Sequence, residues 1–181
     1  MQSLAQYVIN FGGLNEGSHE FEFKLEKKFF EHFDYDEFNR CKIAVKVKLI
    51  KKSNLLELRF YCNGTINLNC HVSNEPFDCP HNSNMNLAVK FGPGFNNDNE
   101  ELLVLPKGSH QLNISQQLYE MIVLSLPIKI IHPGIVDGTL KSDILNRLEL
   151  YESHFNKNTS TKTDPRWDKL NELKQDSYGT S

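Results

Sequence analysis

The stretch from Cys70 to His81, CHVSNEPFDCPH, places two thiols and two imidazoles within twelve residues. These side chains can hold zinc, form a redox pair, or join a nucleophile to its base. Zinc needs four donors converging on one point, usually as two closely spaced pairs. Here Cys70 is followed by Ser73 where a CxxC pair would carry its second thiol. If the preceding strand reaches His71, alternation sends Cys70 and His71 to opposite faces, and only Cys79 and His81 point the same way. The spacing thus predicts no metal and no cofactor. Cys62 and Cys70 read as small core residues, and SNEPFD as a hairpin connection with Asn74 and Pro76 as turn formers. Nowhere does the chain carry a nucleophile pattern, paired acids, a phosphate loop or HExxH, and His19, His32, His110 and His154 are isolated. A non-enzymatic role is expected.

The elements that must position these groups follow from hydrophobic periodicity. At 181 residues the chain is long enough for one domain with a substantial core. Ile43, Val45, Val47 and Leu49 alternate with Lys42, Ala44, Lys46 and Lys48. After Ser53-Asn54, the even positions from Leu56 to Cys70 are small or apolar and the odd ones polar. Met85, Leu87, Val89 and Phe91 continue the pattern. Period two over fifty residues predicts an antiparallel meander with one apolar face and one polar to basic face. Upstream, a short strand, a glycine turn and a strand with Phe21 and Phe23 lead into an aromatic turn or short helix carrying Phe29, Phe30 and Phe33.

Downstream, GPGFNNDNEE reads as a polar loop and ELLVLP as a strand. ISQQLYEMIVLSLP is the best helix, with Ser115 as N-cap and an apolar stripe ending before Pro127, and should cover the apolar face. SDILNRLELYESHF is a second amphipathic helix capped by Ser142 or Asp143. The expected fold class is α+β: an antiparallel β-meander sheet, barrel-like if it curls, packed by one main helix and trailed by C-terminal helices. Residues 1–155 form the domain, 156–163 a flexible linker, and 164–181 a short helix and tail with Asp164 as N-cap and Pro165 at its first position. Trp167, the sole tryptophan, is the expected anchor of a detachable binding element.

Charge narrows the class of partner. Residues 40–92 hold eight Lys/Arg against three acids, a net of +5, which leaves 12 Lys/Arg and 20 Asp/Glu elsewhere, a net of −8. The polar face of the meander carries Lys42, Lys46, Lys48, Arg59, Tyr61 and Lys90, with Asn67, Asn69 and His71 interleaved. Cations among amides and one aromatic suit phosphate and stacked bases, so these residues are the RNA-binding candidates. No run of eighteen apolar residues occurs, and the N-terminus lacks the basic start and small-residue cleavage site of a secretory signal. A cytoplasmic protein with reduced cysteines and no membrane contact is expected.

The order of CHVSNEPFDCP, VKFGP, LYEMIVLSLPIKIIHPG, DGT and a terminal DPRWDKL resembles the YceD family, most closely its Bacteroidota-type branch. The resemblance spans nearly the whole chain. Matching positions are Cys70, Glu75, Pro76 and Phe77, then Glu120, Leu124 and Pro127, then His132, and finally Asp164, Pro165, Arg166 and Trp167. Many members carry CxxC where this chain has Cys70-His71-Val72-Ser73. The resemblance implies a non-enzymatic factor in large ribosomal subunit biogenesis that supports 23S rRNA accumulation, its partner ribosomal RNA or a large-subunit ribosomal protein. The alternative is a protein-only adaptor for a basic ribosomal protein, held by the acidic NNDNEE loop and tail without RNA contact.

Overall fold

A computed structural model describes residues 4–99 and 102–158. In chain order the elements are β1 (Val8–Asn10), β2 (Gly17–Glu26), α1 (Lys27–Glu31), β3 (Arg40–Lys51), β4 (Leu55–Asn69), β5 (Pro76–Gly92), β6 (Asn96–Asn99), β7 (Leu102–Pro106) and β8 (Gln111–Asn113). They are followed by α2 (Ser115–Leu124), α3 (Pro133–Val136) and α4 (Asp143–Asn158). The chain divides into two compact units, residues 1–136 and 137–181.

In the first unit the alternating segments form the strands that their period predicts. β2, β3, β4 and β5 pair antiparallel in one sheet, with Phe21 opposite Val47, Val47 opposite Phe60, and Phe60 opposite Met85. Every second residue of β3 is buried, from Cys41 through Leu49, as are Leu56, Leu58, Phe60, Cys62, Ile66 and Leu68 of β4. Against this face pack α1, α2 and a two-stranded ribbon of β1 and β8. Aromatic rings close the space between them: Phe30 lies edge-on to Phe38 with centroids 4.7 Å apart, and Phe33 stacks on Tyr119 at 4.4 Å. Each fully buried side chain of this size contributes about 1.5–3 kcal/mol. The inward face therefore dominates the stability of this unit.

Three features depart from the expected meander. Strand β7 joins β5 in parallel, and β6 lies outside it as the far edge, giving the order β2-β3-β4-β5-β7-β6. The chain turns through Gly92-Pro93-Gly94, skips one place, and returns between β5 and β6. The segment expected as a polar loop thus supplies an edge strand. Barrel closure does not occur, because β2 and β6 stay unpaired edges and β1 pairs with β8 in a separate ribbon. At α2, Ser115 is the first helical residue and Ile114 holds the N-cap place without a side-chain cap; the Ser115 N–H donates to Asn113 Oδ1 at 2.9 Å, one residue before the cap.

The second unit is described through α4. Ser142 begins that helix: its hydroxyl accepts the Ile144 N–H and its carbonyl accepts that of Asn146. The last turn of α4 takes in residues 156–158, and the tail from 159, with Asp164, Pro165, Arg166 and Trp167, lies outside the described residues.

Gly64 lets β3 and β4 approach more closely than a side chain allows. A Cβ at this position would lie 2.7 Å from Ile43 Cα and collide with the Lys42 carbonyl. Both obstacles are backbone and cannot swing aside. Gly64→Ala should therefore lower stability by about 1–3 kcal/mol, the usual cost of overpacking. Gly13→Ala, where a Cβ meets nothing within 4 Å, is the matched control. Thermal melts of the two variants check this, and equal midpoints would contradict it.

Candidate functional site

The polar face of the sheet is a grid whose rows run across β2, β3, β4 and β5. One row reads Glu20, Lys48, Arg59, Asn86, and its neighbour reads Glu22, Lys46, Tyr61, Asn84. A third places Glu26 and Thr65 on either side of Lys42. The sequence candidates Lys42, Lys46, Lys48, Arg59 and Tyr61 therefore share one surface. Lys90 lies on the same face but four residues beyond Asn86, roughly 13 Å along β5, beside Leu55 and Val104.

Strand β2 changes the electrostatics of this face. Across the four strands, Lys24, Arg40, Lys42, Lys46, Lys48, Arg59 and Lys90 stand against Glu20, Glu22, Glu26, Glu57 and Asp78, seven cations to five acids, a net of +2. Lys46 Nζ lies 3.1 Å from Glu22 Oε1. Lys52 pairs with Glu57, and Arg40 lies 3.9 Å from Asp78. Lys51 has the inward parity of β3 and donates to the carbonyls of Phe11 and Leu14 at 3.0 and 2.7 Å, so it does not add to this face. Lys24, Lys42, Lys48, Arg59 and Lys90 make no ion pair among the described residues; of these, Lys48 and Arg59 lie directly opposite one another on β3 and β4, with Glu20 opposite Lys48 on its other side. Two facing like charges are mutually destabilising on a sheet. An anion lying between them would remove that cost.

The amides divide in two. Asn67 is buried: its Nδ2 donates to Asp78 Oδ1 at 2.6 Å and its Oδ1 accepts from Asn39, which also donates to Asn69 Oδ1 at 2.8 Å. Both amides thus brace the end of the sheet; Asn67 is buried and not presented to a partner, while Asn69 stays exposed with its Oδ1 engaged. His71 is exposed, yet its N–H donates to the Ile130 carbonyl at 2.8 Å and its Nδ1 accepts the Ile130 N–H. Asn84 and Asn86 are exposed on β5 without a side-chain partner among the described residues.

Cys70, Glu75, Pro76, Phe77 and His132, five of the residues that carry the family resemblance, meet at the turn between β4 and β5. Strand β4 stops at Asn69, so Cys70 and His71 lie in a turn rather than on opposite faces of a strand. Asn74, at φ 58°, donates to the Cys70 carbonyl at 2.8 Å, and the Glu75 carbonyl accepts the Cys70 N–H at 2.9 Å. Pro76 opens β5, and the Phe77 ring stands edge-on to His132 at 5.1 Å. The His132 N–H donates to Cys70 Sγ at 3.3 Å, and that of Val72 does so at 3.4 Å. The turn thereby grips the segment that follows α2. On α2 itself, Glu120 accepts from Gln116, Leu124 is exposed, and Pro127 follows the helix end.

The thiols differ sharply. Burial pushes the Cys41 thiol up to about 12, with Cys62 nearby adding to the effect, and burial raises Cys62 as well. At Cys70 burial also raises the thiol, but the Ser73 hydroxyl and the N–H groups of Ser73, His132 and Val72 outweigh it and bring it down to about 7. Cys79 and His81 share the inward side of β5. His81 is buried, its Nε2 lies 3.2 Å from the hydroxyls of Ser83 and Ser125, and burial lowers its pKa. Among the described residues no three His, Cys, Asp or Glu side chains gather at a metal-binding spacing.

Residues 58–174 match the family model described as large ribosomal RNA subunit accumulation protein YceD, and the chain belongs to that family. Searches of curated proteins and of solved structures return no match. The family is described by ribosomal RNA accumulation and not by a reaction. Among the described residues no helix is long and apolar enough to cross a membrane.

The lowered Cys70 thiol has a consequence for stability. A folded-state pKa below the unfolded value contributes stability above the unfolded pKa, and that contribution is lost as pH falls through the folded one. The window runs from about pH 9 down to about pH 7. The difference in melting temperature between the wild type and Cys70→Ala should therefore widen from pH 6.5 to pH 9. A difference that stays constant would show that the thiol titrates alike in both states.

Proposed function

We propose that this protein is a non-enzymatic cytoplasmic factor that supports accumulation of large-subunit ribosomal RNA by contacting that RNA through the outward face of β3, β4 and β5. The family supplies the link to large-subunit RNA. The facing Lys48 and Arg59, neither in an ion pair among the described residues, carry the proposal for direct contact. Phosphate is the anion such a pair suits, since Arg forks onto two oxygens while Lys acts as a point charge. Lys42 and Lys46, with glutamates alongside, serve as the rim, and Lys90 stands too far along β5 to share a phosphate with them.

One observation favours a second reading. Glu20, Glu22 and Glu26 line the outward side of β2, an open edge strand. An acid row beside unpaired backbone groups suits a basic extension of a ribosomal protein.

Binding of large-subunit ribosomal RNA fragments at several salt concentrations separates the two. Lys48→Ala/Arg59→Ala should leave the melting temperature nearly unchanged, because both side chains lie on the outward face. Loss of two phosphate contacts should reduce the logarithmic salt slope by roughly 1.4 to 1.8, at about 0.7 to 0.9 per contact. If wild type and variant bind alike, or if neither binds RNA while a basic ribosomal protein is released by Glu20→Gln/Glu22→Gln, the protein-only reading replaces this one.

A further inference from the structure

Beside the Lys48 and Arg59 pair, the outward face carries a shallow depression of about 460 Å³ lined by Glu57, Arg59, Tyr61, Asn84 and Asn86 over β4 and β5. Tyr61 is 51% exposed, with Lys46 opposite it on β3 and Asn84 opposite it on β5. The acid in this lining is already engaged, since Glu57 is paired with Lys52. An adjacent row shows what a structural amide does on this surface: Asn63 donates to Asn82 Oδ1 at 2.5 Å across the strands. Asn84 and Asn86 have no such partner among the described residues, and both stand on β5 along one side of the exposed ring, Asn84 opposite it and Asn86 diagonal to it. Each offers one acceptor and two donors, the complement of a base edge, while the ring offers a stacking face. Diagonal neighbours on a sheet lie about 7–8 Å apart, so the cation pair and the ring fall within the reach of one nucleotide.

We infer that this depression takes one unpaired nucleotide of single-stranded RNA. Its base stacks on Tyr61, its edge meets the Asn84 and Asn86 amides, and its phosphate lies between Lys48 and Arg59. The inference rests on the RNA contact proposed above and narrows it from RNA in general to single-stranded RNA. A duplex offers the same phosphates but keeps its bases stacked inside, where Tyr61 has no access to them.

The test uses the full chain, a fluorescein-labelled single-stranded RNA of roughly twelve nucleotides, and the duplex made from it and its complement. Wild type should bind the single strand more tightly than the duplex. Tyr61→Ala should weaken single-strand binding about fivefold or more, the usual loss for one stacked base. Its salt slope should stay unchanged because no charge is removed. Tyr61→Phe should retain the affinity, and 2-aminopurine in the strand should change its emission on binding wild type but not Tyr61→Ala. Tyr61 is exposed, so both variants should melt within about a degree or two of the wild type, which thermal melts check. Equal binding of strand and duplex, with Tyr61→Ala matching wild type, overturns the single-nucleotide site while leaving the RNA contact in place. Failure of the wild type to bind either RNA overturns both.

Discussion

The rest of the first unit depends on the register that locks β2, β3, β4 and β5 together with alternate residues on opposite faces. A slip of one residue in β3 would carry Val45 and Val47 into water and bring lysines against the core, and a slip in β4 would do the same to Leu58 and Phe60 with Arg59 turned inward. The apolar face resists such a slip because its side chains fill the space against α1, α2 and the β1–β8 ribbon. The same constraint determines the outward grid. Once Val47 faces Phe60, Lys48 must face Arg59 and Lys46 must face Tyr61. The candidate interface is thus a by-product of core packing in its geometry, and only the choice of side chains on it is free.

That freedom is used unevenly. At the end of the sheet near Asn67, polar groups bond to one another and brace the backbone. At its centre, a facing pair of cations, an exposed ring and two unpartnered amides are left to solvent. The Cys70 turn belongs to the bracing kind. Backbone N–H groups from two segments sixty residues apart meet on its sulfur, and Phe77 adds a ring contact to His132. Four positions of the family resemblance, Cys70, Glu75, Phe77 and His132, therefore serve the join between the sheet and the segment after α2. In this chain the Ser73 hydroxyl lies beside the thiol and helps to lower its pKa.

Much of this was legible in the sequence wherever periodicity alone decides. The faces of β3, β4 and the second half of β5 follow from alternation, and the helix near 115–124 follows from its apolar stripe. Pairings between distant segments were not legible. Nothing local says that Glu20 and Glu22 lie beside Lys48 and Lys46, so the face looked more basic than it is. Nor does any local pattern show β7 running parallel to β5, or β1 finding β8. Cys70 resembled a core cysteine because burial is readable from alternation, whereas N–H groups donated by His132 are not. Asn67 looked outward by parity, and it is, but Asp78 and Asn39 cover it.

The central claim is that ribosomal RNA meets the centre of the outward face. Ultraviolet cross-linking of the full chain to large-subunit precursor particles, followed by mass spectrometry of the RNA-bound peptides, tests it most directly. Cross-links should concentrate on the β4 segment bearing Arg59 and Tyr61 and on the β5 segment bearing Asn84 and Asn86. Cross-links confined to β2 or α4, or attachment to ribosomal protein alone, would contradict it.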